Sequence, residues 1–501
     1  MPGGCPDEHG PCPRGSSQHG LRPRGSSQHG LRPRGSSQHG LRPRGSSQHG
    51  LRPRGSSQHG LRPRGSSQHG LRPRGSSQHG LRPRGSSMRI LMVSWEYPPV
   101  VIGGLGRHVH HLSTELAAAG HDVVVLTRRP SGTDPSSHPT SDEISEGVRV
   151  VAAAEDPHDF DFGTDMMAWT LAMGHAMVRA GLALGLKGSG DWRPDVVHAH
   201  DWLVAHPAIA LAEHFDVPLV STLHATEAGR HSGWVSGRIS RQVHSVEWWL
   251  ARESDSLITC SASMLDEVTQ LFGPELPQVH VIRNGIDVTR WVFAPRPPAD
   301  GTPPVLLFVG RLEYEKGIHD AIAALPKIRR AHPGTVLAVA GDGTQQDWLL
   351  EQARKYKVVK SVQFLGTLDH SELLHWLHHA DAILLPSHYE PFGIVALEAA
   401  AAGTPLVTST VGGLGEAVID GETGMSFAPR DVAGIAEAVT RTLDDPAAAA
   451  ERAAAARARL TADFDWATVA DETAQVYLAA KRREREPLGR SVIVERPLPD
   501  R

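Results

Sequence analysis

From Ile90 to Thr408, short apolar segments alternate with stretches of helical periodicity, and this alternation constrains the fold more than any other feature of the chain. Ile90–Val93, Val123–Leu126, Val148–Ala152, Val196–Ala199, Leu219–Thr222, Leu257–Thr259 and Val279–Ile282 are short runs bounded by polar or turn-forming residues, as in strands of a parallel sheet covered by helices. A second series, Val305–Val309, Val336–Ala340, Val362–Leu365, Ala382–Leu385 and Leu406–Thr408, follows the proline-rich stretch from Pro295 to Pro304. The pattern predicts an α/β chain with two Rossmann-like parallel domains of similar size, residues 88–300 and 301–465, with the linker in the prolines. A last helical pattern occupies 466–482, and the charged, proline-containing tail 483–501 is expected to be mobile.

Residues 1–87 are a different kind of polymer. The unit Gly-Ser-Ser-Gln-His-Gly-Leu-Arg-Pro-Arg begins at Gly15 and recurs every ten residues until Met88. With one Leu per unit it cannot bury a core, so disorder is expected. A basic tail with regularly spaced histidines can bind polyanions or metal. Identical repeats look instead like tandem duplication of coding sequence, with Met88 as the natural start. The leader carries 15 Arg against two acids, which leaves the rest of the chain 36 basic and 53 acidic residues, no signature of a nucleic-acid binder. No apolar stretch follows the first Met and none approaches the ~20 residues that span a bilayer, so neither a signal peptide nor a transmembrane segment is expected. Cys5 and Cys12 lie in the leader and only Cys260 in the body, which points to a reducing, cytoplasmic compartment.

In open parallel sheets, ligands sit beyond the carboxyl ends of the strands, and the informative residues fall there repeatedly. Pro386-Ser-His-Tyr-Glu-Pro-Phe-Gly-Ile-Val-Ala-Leu-Glu398 reads as a strand end, a loop and a helix start, with Pro391 suited to the first helical position. The backbone N–H groups of Phe392, Gly393 and Ile394 then face an anion such as phosphate, and Gly393 permits close approach. Glu390 and Glu398 bracket this turn, a layout that fits a sugar nucleotide. After the first strand, Gly103, Gly104 and Gly106 open a helix that can receive a diphosphate. A dinucleotide fingerprint, with Arg128 and Arg129 pointing to NADP, is the competing reading, but the eight residues between Ser94 and Gly103 are too many for its tight turn. Arg311 and Lys316 lie on the loop after the first strand of the second domain.

Several other groups read as structural. His198 and His200 alternate on a strand with no third metal ligand nearby in sequence, which favours structural roles. In Arg107-His-Val-His-His111, His108 and His111 share a helix face, read as packed or solvated. Asp159-Phe-Asp161 and Asp463-Phe-Asp465 imitate a metal-binding Asp-x-Asp without following a strand end. Gly341-Asp-Gly343 and Val411-Gly-Gly-Leu414 read as helix-capping turns.

Glu-Pro-Phe-Gly with a second Glu eight residues after the first resembles the E-x7-E motif of retaining glycosyltransferases with the GT-B fold, specifically the glycogen-synthase-like group. His198-Ala-His-Asp-Trp202, His224 and Arg311-Leu-Glu-Tyr-Glu-Lys-Gly317 match further motifs of that group in family order. The glycine loop is similar to the family's Lys-x-Gly-Gly-Leu, with Val101 where the lysine would be, so UDP and ADP donors both stay open. The body from Met88 is most similar to actinobacterial α-1,4-glucosyltransferases. The resemblance implies two domains facing across a cleft, with the last helix crossing back onto the first. It implies that Arg311 and Lys316 hold the donor diphosphate, Glu390 the sugar hydroxyls and Glu398 the ribose. Asp201 and His224 hold the hexose, Trp202 lines the sugar site and His224 is the active-site histidine. The implied reaction is retaining transfer of glucose from a nucleotide sugar to an α-1,4-glucan-type acceptor, with no metal, no cofactor and no covalent nucleophile. Alternatives within the class are synthesis of maltose 1-phosphate or transfer to a lipid or small molecule; outside it, a sugar-nucleotide epimerase of the same fold or a non-catalytic glycan-binding protein.

Overall fold

The computed structural model describes residues 87–101, 103–130, 136–155, 160–185, 192–294 and 301–483. The repeat leader to residue 86, Asp159 of the first acidic triplet, part of the proline-rich stretch and the tail beyond 483 lie outside the described residues.

The first domain is built on β1 (Arg89–Val93), β2 (Asp122–Arg128), β3 (Ser141–Ser145), β4 (Val148–Ala153), β5 (Val196–His200), β6 (Leu219–Leu223), β7 (Ser256–Thr259) and β8 (Gln278–Val281), in the order β3-β4-β2-β1-β5-β6-β7-β8. All neighbours pair in parallel except β3 and β4, which are antiparallel. β1, β5, β6 and β7 are central, and their apolar side chains are buried on both faces, which explains their continuous rather than alternating apolar runs. Sequence reasoning missed β3. Its Ser-Asp-Glu-Ile-Ser is exposed at the sheet edge, where one flanking strand is enough and no apolar pattern is needed.

The second domain carries β9 (Val305–Val309), β10 (Val336–Ala340), β11 (Val362–Gly366), β12 (Ala382–Leu385), β13 (Leu406–Ser409) and β14 (Met425–Phe427), all parallel, in the order β11-β10-β9-β12-β13-β14. The three-residue β14 was also not anticipated; it is too short to show a period. Both sheets are doubly wound, and each has a switch point where the strand order reverses, between β1 and β5 and between β9 and β12. The loops after these four strands carry the glycine loop, Asp201, Arg311 with Lys316, and Glu390 respectively.

The helix Trp466–Ala479 leaves the second domain and packs on the helix Gly104–Ala118 of the first, with Trp466, Val469, Ala470 and Tyr477 buried in the same cluster as Ile90, Leu112 and Leu116. Burying an apolar side chain of valine size or larger contributes about 1.5–3 kcal/mol, so the C-terminal helix is an integral part of the first domain. Among the described residues, no helix is long and apolar enough to cross a membrane.

Candidate active site

The Glu390 loop starts where β12 ends. The helix that follows begins at Ile394, capped by Gly393 at φ 92° and ψ 54°, so Pro391 lies before the helix and not at its first position as the sequence predicts. The cause is Gly393: its left-handed conformation interrupts helical dihedrals, and a Cβ there would lie 2.6 Å from Leu414 Cδ2. Leu414 belongs to the Val411-Gly-Gly-Leu turn, which the sequence offers only as a helix cap; it also props this loop, with Gly413 N–H donating to the Glu390 carbonyl at 3.0 Å. The Lys316 loop is fastened to the same segment, because His388 and Tyr389 N–H both donate to the Glu315 carbonyl, at 2.7 and 3.3 Å. Phe392 turns its side chain inward, edge-on to Phe464, and so reaches the site only through its backbone.

These loops bring charge together. Lys316 Nζ donates to Glu390 Oε2 at 2.7 Å, and Arg311 pairs with Glu315 at 3.1 Å while remaining about half exposed. The helix Ile394–Ala402 is buried from Ala396 onward, mostly as alanine, and Glu398 is its one carboxylate. Burial pushes the Glu398 carboxyl up from its ordinary range, and Arg107, which reaches across from the first domain to pair with it, opposes that shift.

The glycine loop meets this helix directly. Gly103 caps the helix Gly104–Ala118 with no side-chain cap, and its own N–H donates to Glu96 at 3.0 Å. A Cβ on Gly104 would stand 3.0 Å from Ile394 Cδ1, so the two helix N-termini approach each other across the cleft. The first turn of a helix leaves backbone N–H groups without intrahelical carbonyl partners and carries the positive end of the helix dipole. Two such ends, with Lys316 and Arg311 beside them, make a site for a polyanion such as a diphosphate. Arg128 does not serve a dinucleotide: it is buried between Trp95 and Trp169, its Nε donating to the Trp95 carbonyl at 3.0 Å.

On the first domain, Asp201 follows β5 at φ 63°, a left-handed conformation unusual for a non-glycine residue and a mark of a constrained position. Its Oδ1 accepts from His224 N–H at 2.7 Å, tying the ends of β5 and β6 together. Burial raises the Asp201 carboxyl to about 6, against the pull of Arg230 and of the backbone donors at His224 and Ala225. Burial lowers His224 to about 3, so its ring is neutral. Trp202, at the start of the turn after Asp201, is buried in the core.

Sequence reasoning missed two participants. Tyr389 is an interdomain bolt, its hydroxyl accepting from Thr226 N–H at 3.1 Å and donating to Glu267 at 3.0 Å. His108, read from its helix-face spacing as packed or solvated, is packed, and what was missed is that its partners are His200 and His224. An aromatic flanked by the paired motif residues was the one available signal for Tyr389; for His108 there was none, because its partners are remote in sequence. The acidic triplets have local duties: Asp161 accepts from Gly163 and Thr164 N–H, and Asp465 caps the C-terminal helix. Among the described residues, two groups hold three potential metal ligands close together, His108 with His200 and His224, and His319 with Asp320 and His388.

Comparison with known proteins agrees with this geometry. The family described as Glycosyl transferases group 1 matches residues 289–459, and Glycosyltransferase Family 4 matches residues 102–290. Glycogen synthases of two Mycobacterium tuberculosis strains are each 75% identical over 415 residues, covering 83% of this chain and 100% of theirs. A D-inositol 3-phosphate glycosyltransferase of Frankia alni is 33% identical over 394 residues, 75% of this chain and 94% of its own. Among solved structures, a sucrose-phosphate synthase from Thermosynechococcus elongatus superposes with a TM-score of 0.66 at 27% identity, covering 78% of this chain and 98% of that one. The enzyme is thus a glycosyltransferase rather than an epimerase or a passive glycan-binding protein, and the chain belongs to the glycogen-synthase family with the GT-B fold.

Proposed function

We propose that this enzyme transfers glucose, with retention of the α configuration, from UDP- or ADP-glucose to the end of an α-1,4-glucan, in the cytoplasm and without a metal. The observation that carries the reading is the meeting of the two helix N-termini at Gly104 and Ile394, with the Lys316–Glu390 pair beside them. Identity of 75% to glycogen synthases supports glucan as acceptor over inositol phosphate, the substrate named for relatives at 33%.

The charges dictate the mechanism. As the nucleotide diphosphate leaves, negative charge gathers on phosphate and positive charge at the anomeric carbon. Lys316, Arg311 and the helix ends stabilise the first without reorganising, an effect of about 3–4 kcal/mol per donor in preorganised sites. Donor binding draws Lys316 toward phosphate and frees Glu390 for the sugar hydroxyls. Glu398 turns to the ribose as its pairing with Arg107 loosens. Asp201 fixes His224, whose neutral ring hydrogen-bonds the hexose from the other domain. The acceptor hydroxyl attacks from the face that the diphosphate leaves, and no enzyme nucleophile is needed.

The test is a panel of UDP-, ADP- and GDP-glucose with glycogen, glucose 1-phosphate, inositol phosphate and water as acceptors, each run with and without a chelator. Chelator-resistant extension of glycogen with α-1,4 linkages is the expected result. Transfer only to a small phosphorylated acceptor refutes the glucan reading, and activity that requires magnesium refutes the metal-free one.

A further inference from the structure

His200 has no third metal-ligand partner nearby in sequence, but the fold supplies two. His108, from the helix after the glycine loop, and His224, at the end of β6, meet His200 so that one donor atom from each lies within 4.8 Å of the others. Ring centroids are 4.7 Å apart for His108 and His224, and 5.5 Å for His200 and His224. His198, the other histidine of β5, is not part of this group, because Tyr477 and Thr222 already engage its two nitrogens at 2.7 and 2.8 Å.

The unused hydrogen-bonding capacity points to a ligand. His108 Nδ1 is 2.7 Å from Asn284 Oδ1. An amide oxygen has no proton to give, so Nδ1 carries the hydrogen and Nε2 presents its lone pair. That Nε2 is buried and no described group reaches it; the same holds for His200 Nε2, while His200 Nδ1 lies 3.2 Å from His224 Nε2, a hydrogen bond that a metal held by the His224 ring replaces. A buried polar atom without a partner costs about 1–3 kcal/mol, and two of them in one cluster call for a common ligand. Asn284 plays the part of the outer oxygen that fixes tautomer and ring orientation in metal-bound histidines.

We propose that His108, His200 and His224 form a binding site for a divalent transition-metal ion such as zinc, entered from the partly exposed His224 end. An all-nitrogen donor set selects zinc, cobalt or nickel over magnesium or calcium. Bonds of about 2.0–2.1 Å in tetrahedral geometry require donors about 3.4 Å apart, so the rings turn toward one another on binding from separations that now reach up to 4.8 Å. The bound ion immobilises the His224 ring, so it inhibits transfer; that consequence rests on His224 acting in the reaction, whereas the site itself does not.

Cobalt(II), a visible zinc surrogate, tests the site in the full chain. A tetrahedral absorption band in the wild type, absent in His108→Gln and formed with about 10–100-fold weaker affinity in Asn284→Ala, is the expected result. Taking the difference between wild type and variant removes any contribution from histidines of the leader. Equal bands in all three proteins, or no band in any, overturn the proposal. Zinc, unlike magnesium, is also expected to lower turnover reversibly in the wild type and less in His108→Gln. A His108-dependent band with turnover indifferent to zinc leaves the metal site standing and removes His224 from the reaction.

Discussion

Lys316→Ala separates two duties that one ammonium performs. In the free enzyme its Nζ lies 2.7 Å from Glu390 Oε2, with side-chain exposures of 15% and 20%. At an effective dielectric of about 20, unit charges ~3 Å apart attract by about 5 kcal/mol, and desolvation offsets most of that. The net loss of stability on removing the cation is therefore about 1–3 kcal/mol, since it leaves Glu390 partly buried and unpaired by Lys316. In the transition state the same ammonium faces the departing diphosphate, and its loss costs about 100- to 1000-fold in kcat. Thermal melts and steady-state release of nucleotide diphosphate, on Lys316→Ala, Glu390→Gln and the double variant, resolve the two. Neutralising Glu390 in the Lys316→Ala background is expected to restore most of the melting temperature and none of the turnover. If turnover recovers with stability, or if Lys316→Ala loses less than about tenfold in kcat, the lysine is only the counter-ion of Glu390 and its role at the phosphate is refuted.

Asp201 supplies a pH test. Its folded carboxyl titrates at about 6, above the ordinary ~3.9. The folded state thus holds that proton more tightly, and the stability it contributes is present below pH ~4 and lost as pH rises through ~6. Activity runs the other way, because the charged carboxylate is the better acceptor for His224 N–H. The acid limb of kcat/KM is expected to bend near pH 6 and to flatten in Asp201→Asn; His224, lowered to about 3, contributes no bend there, and a limb that instead vanishes in His224→Gln disproves the assignment. Gly104→Val pushes branched carbon into Ile394, whose Cδ1 is already 3.0 Å from the position of a Cβ. Misplacing the helix ends by about 1 Å costs about 100-fold in turnover, with the melting temperature of each domain little changed; wild-type kinetics in this variant contradict a diphosphate held between the two termini. Glu398→Ala is expected to weaken nucleotide binding about tenfold, the loss of one hydrogen bond to a charged group; calorimetric titration showing unchanged affinity takes the ribose away from Glu398.

Local pattern was sufficient for everything that neighbouring residues decide. Ile90–Val93 and Ala382–Leu385 announce central strands because burial on both faces demands continuous apolar side chains, and the strand alternation fixes two doubly wound sheets. Since such sheets bind ligands beyond their carboxyl ends, Gly103, Asp201, His224, Arg311, Lys316 and Glu390 were identifiable as neighbours of a site before any coordinates. Where nothing local is at stake, the sequence is silent. Ser141–Ser145 pairs at an exposed edge with no apolar face to show, and the helix after Glu390 starts at Ile394 because Gly393 before it is left-handed, at a point where Leu414, from another element, leaves no room for a side chain. Trp202 ends its motif with no sign of its depth, and the fold buries it in the core. Only tertiary structure decided that Lys316 rests on Glu390, that Arg107 crosses to Glu398, that Tyr389 fastens the domains, and that His108 closes on His200 and His224. Those contacts join loops from separate strand ends and, in several cases, from separate domains. Their geometry depends on how two sheets are set against each other, which no periodicity along one strand or helix encodes.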